Sequence, residues 1–169
     1  VLNYIATHKH RTRNRCMFLL THLAGMRVGE VAALRYGDVV DASGAVVDEI
    51  RLQAEQTKGS QARVVFVSQR LRKELAAYVK QHKMTDASHA LFFTQKRRRA
   101  GFTANTLTQV YSRLYKCAGL QGATSHSGRR SFITNLAARG VNPRALQQLA
   151  SHQSLNTTMR YIDVNDSVL

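Results

Sequence analysis

The chain has 169 residues, of which 44% are apolar, enough for one domain built around a real hydrophobic core. Lys and Arg number 25 against 10 Asp and Glu, a formal net charge of +15, which says nothing of fold but predicts a polyanionic partner: nucleic acid, an anionic membrane or an acidic protein. No apolar run approaches the ~20 residues a membrane helix needs and no signal-peptide pattern opens the chain, which disfavours the membrane among those partners.

The elements are expected to be mostly helical and to form a single domain over residues 1–169, without repeats or a Gly/Ser or Pro linker. The first residue is Val1 and not Met, which suggests a fragment with partner domains upstream. Residues 11–24 form an apolar-rich helix stopped by Gly25 at a C-cap. A second helix starts near Arg27 and runs to about Leu34, and Asp41-Ala42-Ser43-Gly44 is a turn signal. The β-prone stretches 49–54 and 63–67 flank a polar, Gly-containing loop, which predicts an antiparallel hairpin with Lys58 near its tip.

Helices follow the hairpin. Leu71, Leu75, Tyr78, Val79 and His82 recur at helical spacing behind a Ser68 cap, and Leu107, Val110, Tyr111, Leu114 and Ala118 do so behind Thr103. A helix over roughly 127–138 ends at Gly140, and Asn142-Pro143 opens the next over 144–150. A short last helix carries residues 157–161. The fold class is therefore mainly α with a small antiparallel β-hairpin, an α+β arrangement. Cys16 and Cys117 lie far apart in apolar helical stretches and read as buried thiols in a reducing compartment. The run Lys96-Arg97-Arg98-Arg99 is either a solvated charge run or a phosphate-contact patch, and the overall charge favours the second.

Chemistry is bounded first by exclusion. The acids are too scattered to hold Mg²⁺ in the manner of a metal-dependent nuclease, no HExxH or zinc spacing occurs, and no P-loop is present, so neither a metal nor a nucleotide cofactor is expected. His8 and His10 make an H-x-H in a basic segment, a surface feature more than a ligand pair. Metal-free chemistry on a phosphodiester needs an in-line nucleophile, cations on the equatorial oxygens and a proton donor for the leaving 5′ oxygen. Arg suits the clamp, being always charged and matched by its planar fork to two phosphate oxygens.

The C-terminal third supplies such groups. Ser125-His126-Ser127-Gly128-Arg129 puts His126 and Arg129 three apart, which at helical spacing is one face; Ala150-Ser151-His152 precedes Thr157-Thr158-Met159-Arg160-Tyr161; upstream, Gly25-Met26-Arg27-Val28-Gly29-Glu30 places Arg27 at a helix start. In these residues the chain resembles the tyrosine recombinase (phage integrase) family. Its motifs are an arginine in a T-G-x-R-x-S-E context, a lysine on a β-hairpin, H-x-x-R, and a His or Trp followed nine residues later by the tyrosine. Arg27, Lys58, His126, Arg129, His152 and Tyr161 match in order, over most of the chain.

The resemblance implies the fold of that family's catalytic domain and a site-specific recombinase or integrase activity without metal or energy cofactor. Tyr161 would attack the scissile phosphate and form a 3′-phosphotyrosine, releasing a 5′-hydroxyl that a second strand can replace. Arg27 and Arg129 would hold the non-bridging oxygens, Lys58 would protonate the 5′ oxygen, and His126 and His152 would bond the phosphate, with His126 also assisting the tyrosine's proton. Glu30, three residues after Arg27, is expected to offset part of the cation cluster by pairing with it. The partner implied is double-stranded DNA, bound by a protein that is monomeric when free and tetrameric on paired sites, in the cytoplasm, as a nucleoid-associated or mobile-element protein. The family's N-terminal core-binding domain is not expected within residues 1–169, and eight residues follow Tyr161 here for exchange between protomers.

Two other functions remain open at this level: supercoil relaxation of the type IB topoisomerase kind, and a non-catalytic DNA-binding module. The chain also departs from the family pattern. Gly29 stands where Ser is usual, Ala150-Ser151-His152 replaces Leu-Gly-His, so that a turn must form without Gly, Ser127-Gly128 replaces Asp-Leu, and Arg130 sits where a His is frequent.

Overall fold

The computed structural model describes residues 1–57, 59–94, 101–151 and 154–159. Lys58, Lys96, Arg97, Arg98, Arg99, His152 and Tyr161 lie outside the described residues. The element order is α1 (Leu2–Ala6), α2 (Arg11–Leu23), α3 (Val28–Ala33), α4 (Tyr36–Val39), β1 (Glu49–Leu52), a 3₁₀ turn (Ala54–Gln56), β2 (Arg63–Phe66), α5 (Gln69–His82), α6 (Ala104–Cys117), α7 (Ser127–Ala138) and α8 (Pro143–Ala150). A further helical turn covers 155–159.

Helix α2 is the axis of the core. Its buried Cys16, Met17, Phe18, Leu19, Leu20 and Thr21 leave almost no polar face in the second half of the helix, because α5 packs on one side and α7 on another. Burial on α5 falls on Leu71, Leu75 and Tyr78, the 3.6-residue stripe the sequence shows, and the Tyr78 hydroxyl donates to the Leu91 carbonyl at 2.8 Å. Helix α6 buries Leu107, Tyr111, Leu114 and Tyr115 and packs on α3.

The sequence-encoded caps are in place. Ser68 Oγ accepts from Leu71 N, Thr103 Oγ1 from Thr106 N, and Asn142 Oδ1 from Arg144 N, with Pro143 at the first helical position. Ala24 caps α2 and Gly25 follows at φ +62°; a Cβ there would lie 2.4 Å from Cδ1 of Phe132, so conformation and packing both require glycine. The hairpin is antiparallel, with Ile50 opposite Val65 and Leu52 opposite Arg63. These inner pairs face the core, while Glu49, Arg51, Val64 and Phe66 face outward.

Three expectations need correction. Cys117 is exposed and only Cys16 is buried, because Cys117 lies on the flank of α6, off the stripe that packs. Strand β1 ends at Leu52 and not at residue 54, since the backbone from Ala54 turns into the 3₁₀ segment before the loop. The last helical turn begins at 155, two residues ahead of the expected start. Helices α1 and α4 are too short to show a period in sequence.

Candidate active site: three arginines on the end of α8

The C-terminus of α8 is where distant parts of the chain meet. A helix leaves its last carbonyls without internal partners. Here Ser151, the C-cap, takes a left-handed conformation (φ +46°, ψ +51°), and its N–H closes back on Gln148 O at 3.0 Å. The turn before His152 thus forms with Ser in a conformation that favours Gly. The next three carbonyls, of Leu149, Ala150 and Ser151, each receive a guanidinium from a different element.

Arg63, at the start of β2, donates Nη1 to Leu149 O at 3.1 Å and to Ser151 Oγ at 3.4 Å. Arg129, one turn into α7, donates Nη2 to Ala150 O and Nη1 to Gly25 O. Arg27, the N-cap of α3, donates Nη2 to Ser151 O at 3.1 Å. Arg27 and Arg129 therefore stand on adjacent carbonyls although they are far apart in sequence. The negative end of the α8 dipole favours all three cations.

Among the described residues one carboxylate serves this cluster. Glu30 is 1% exposed, and its Oε1 accepts from Arg27 Nη1 at 2.9 Å. Its Oε2 accepts from the Arg27 backbone N–H at 2.8 Å and from Arg63 Nη2 at 2.7 Å. Among the described residues the cluster gathers three guanidiniums around one carboxylate, a donor set of the kind that suits an oxyanion. Burial pulls the Arg63 guanidinium below its ordinary pKa, and Glu30 pulls it back up. The Arg27 side chain is 26% exposed while that of Arg63 is 6% exposed, so Arg27 is the member open to solvent and Arg63 the one sealed in.

His126 is the N-cap of α7 and is exposed, with its backbone N–H donating to Thr124 Oγ1 at 3.3 Å. It thus sits one helical turn from Arg129, His126 on the surface and Arg129 in the interior. Gly128 between them permits the close approach of α7 to α2: a Cβ there would lie 2.2 Å from Thr21 Oγ1. This accounts for a small residue in that position. Gly29 has a different status, since a Cβ there would meet only the Ala104 Cβ at 3.8 Å, an ordinary contact.

Of the tyrosines among the described residues, three are core components. Tyr111 donates to the Met17 carbonyl, Tyr78 to that of Leu91, and Tyr115 faces His22 Nε2 at 3.5 Å. Burial pushes all three phenols up, Tyr115 to about 12, which suits a hydrogen-bond donor and not a nucleophile.

Sequence reasoning did not single out Arg63, and it marked Ser151 only as the residue standing where the family pattern has Gly. A signal for Arg63 existed: it precedes the core-facing Val65 by two, so strand alternation puts a charged residue on the buried face of the hairpin. Which face is buried is decided only by the partner strand, where Ile50 and Leu52 point inward.

Comparison with known proteins converges on one family. The model of the phage integrase family matches residues 1–167. The chain is 32% identical over 154 residues to tyrosine recombinase XerA of Thermococcus kodakarensis, covering 91% of this chain and 52% of that protein. It is 28% identical over 160 residues to tyrosine recombinase XerC of Syntrophus aciditrophicus, covering 90% and 49%. The chain thus spans about half the length of the curated relatives it matches. Among solved structures, the XerA recombinase crystal structure superposes with a TM-score of 0.79 at 28% identity, covering 98% of this chain and 57% of that one. XerH bound to its palindromic difH substrate superposes with a TM-score of 0.76 at 24% identity, covering 99% and 48%, a likeness of fold.

Proposed function

The chain belongs to the phage integrase family, and from that premise we propose that residues 1–169 are one catalytic domain that cleaves and rejoins double-stranded DNA at specific sites through a 3′-phosphotyrosine. The observation that carries this reading is the convergence of Arg27 and Arg129 on adjacent carbonyls at the end of α8. Two forks that meet there suit the two non-bridging oxygens of one phosphate.

Tyr161 is the nucleophile. Its phenolic oxygen forms the bond to phosphorus, the bond from phosphorus to the 5′ oxygen breaks, the phenolic proton leaves, and the 5′ oxygen takes up a proton from Lys58. An unperturbed tyrosine is ionised at roughly one part in a thousand at neutral pH, and cationic neighbours favour the step by stabilising the phenolate. His126, exposed at the N-cap of α7, and His152, the residue after Ser151 in sequence, bond the phosphate oxygens; His126 also takes part in removing the tyrosine's proton. Glu30 keeps the cation cluster foldable in the absence of DNA. Among the similar structures, the Tn1549 transposon integrase was solved with circular intermediate DNA and XerH with difH. By analogy the partner here is duplex DNA, with protomers associating on paired sites, in the cytoplasm. Lys96, Arg97, Arg98 and Arg99 contribute phosphate contacts, which makes binding steeply salt-dependent.

The test is covalent capture. The chain, expressed in its full reading frame, is incubated with a nicked duplex library of randomised sequence, and complexes that survive SDS are recovered and sequenced. The expected result is an enriched site and an adduct lost in Tyr161→Phe while non-covalent binding persists. A wild-type protein that shifts DNA in a gel yet captures no sequence covalently would make it a binding module.

A further inference from the structure

Arg63 is the sealed member of the arginine cluster, and both its terminal nitrogens are committed. Nη1 holds Leu149 O and Ser151 Oγ, and Nη2 holds Glu30. Its Nε is buried and finds no hydrogen-bond partner among the described residues. Burying a guanidinium this completely carries a desolvation cost that a smaller apolar residue would avoid, so its presence points to a purpose beyond packing. Glu30 shows what that purpose is. Its carboxylate is shared by two cations, Arg27 on Oε1 and Arg63 on Oε2.

We propose that Arg63 is a positioning residue of the cleavage site, which acts through Glu30 to fix the place of the Arg27 guanidinium and to leave that guanidinium's charge available to the scissile phosphate. The inference rests on the cleavage reading above and adds to it a residue not among those assigned there.

The physical argument compares the site with and without Arg63. With it, one carboxylate is divided between two guanidiniums, and Arg27 Nη2 stays on Ser151 O, where the Arg27 side chain remains partly open to solvent. Without it, a buried carboxylate keeps a single cationic partner, and the favoured geometry becomes a two-point fork between Glu30 and Arg27. That fork would swing Arg27 Nη2 inward and neutralise the charge that the phosphate needs. Arg63 also ties the first residue of β2 to the last turn of α8, so hairpin and helix end move together. Lys could not substitute: a single ammonium reaches either Glu30 or the α8 carbonyls, whereas the planar fork spans both.

The experiment measures single-turnover adduct formation on the captured site with two suicide substrates, one with the native phosphodiester and one with a methylphosphonate at the scissile position. The methyl group removes the charged oxygen, so a defect in neutralising that oxygen shrinks on this substrate, whereas a general loss of fold slows both alike. For Arg63→Met we expect cleavage of the phosphodiester slowed about 10- to 100-fold, less than the ~100- to 1,000-fold typical of a direct oxyanion contact. We expect the methylphosphonate to be slowed less than about 3-fold, an indirect contact having little left to act on there. Arg63→Lys, which keeps the charge and is milder on folding, should show the same selectivity for the charged substrate. In the Glu30→Gln background Arg63→Lys should add little, because the route through the carboxylate is already cut.

Equal slowing on both substrates, wild-type rates in Arg63→Lys on both, or multiplicative losses in the double variant would each overturn the role of Arg63 while leaving the cleavage reading intact. Absence of any adduct from the wild-type chain would sink the cleavage reading itself, and Arg63 with it.

Discussion

Among the described residues, two helices end on a residue other than glycine in the left-handed conformation: α5 at Lys83 (φ +46°) and α8 at Ser151 (φ +46°). Their backbones are alike and their surroundings are opposite. Helix α5 ends at the surface and carries its own basic residues, Lys80 and His82, in the last turn. Helix α8 has no basic residue in its last turn and receives Arg27, Arg63 and Arg129 from three other elements. A helix end that needs only a counter-charge can take it from its own sequence at little cost. Importing three guanidiniums, two of them buried, and adding a buried Glu30 goes well beyond what capping requires, which is what the proposed phosphate site would need.

The sharpest way to break that contrast is to remove one cation from each end. Arg129→Met leaves the carbonyls of Gly25 and Ala150 without their donor in the interior, which costs about 3 kcal/mol in urea denaturation and abolishes adduct formation by about a hundredfold or more. Lys80→Ala removes a solvated charge and should cost no more than about 0.5 kcal/mol. Comparable losses from the two variants would show that the α8 end is ordinary capping.

Next in size is the glycine that supports Arg129 from the other side. Gly25→Ala meets both a left-handed backbone and the Phe132 ring, and should cost about 2–3 kcal/mol. Gly44 offers the control: its φ is +85° but nothing lies within 4 Å of its Cβ position, so Gly44→Ala should cost only the backbone share, about 1 kcal/mol. Equal midpoints for the two variants would show that Phe132 yields without cost. Smaller still are the two left-handed caps themselves. Lys83→Gly relieves the strain and should stabilise by about 0.5–1 kcal/mol. Ser151→Gly relieves the same strain but gives up the Ser151 hydroxyl that Arg63 touches, so its gain should be the smaller of the two. A larger gain at Ser151 would mean that this contact contributes nothing.

Much of this was legible before any coordinates. The caps at Ser68, Thr103 and Asn142, the apolar stripe of α5 and the hairpin are local features whose residues lie within a turn or two of one another. The motif order already grouped Arg27 and Arg129, and the pairing of Glu30 with Arg27 follows from their separation of three residues across a helix start. The α8 cluster was not legible, because its bonds join residues such as Arg63 and Leu149, or Arg27 and Ser151, whose meeting depends on how four elements pack. The exposure of Cys117 had the same origin: an apolar neighbourhood in sequence does not say which side of α6 the core takes.

The weakest expected effect concerns the end of α2, where a histidine sits in a position that at α8 is served by arginine. His22 lies in the last turn of α2, stacked on Phe18 with ring centroids 3.8 Å apart. Its Nδ1 lies 3.0 Å from the Phe18 carbonyl; a carbonyl only accepts, so Nδ1 carries the proton. Its Nε2 faces the Tyr115 hydroxyl at 3.5 Å. The helix end would favour an imidazolium, but burial dominates and holds the pKa below the usual 6.5, with the bond to Phe18 opposing. The unfolded chain therefore binds a proton more readily than the folded one, and stability falls as pH drops through 6.5 toward the lower folded value. The arginines of α8 stay charged throughout this range and contribute no slope. Chemical denaturation at pH 7.5 and 5.5 should show this loss in the wild type and a smaller one in His22→Gln, which keeps a donor near Phe18. An unchanged slope in that variant would assign the acid sensitivity elsewhere, with His10, whose pKa is lowered chiefly by Arg13, the next group to replace.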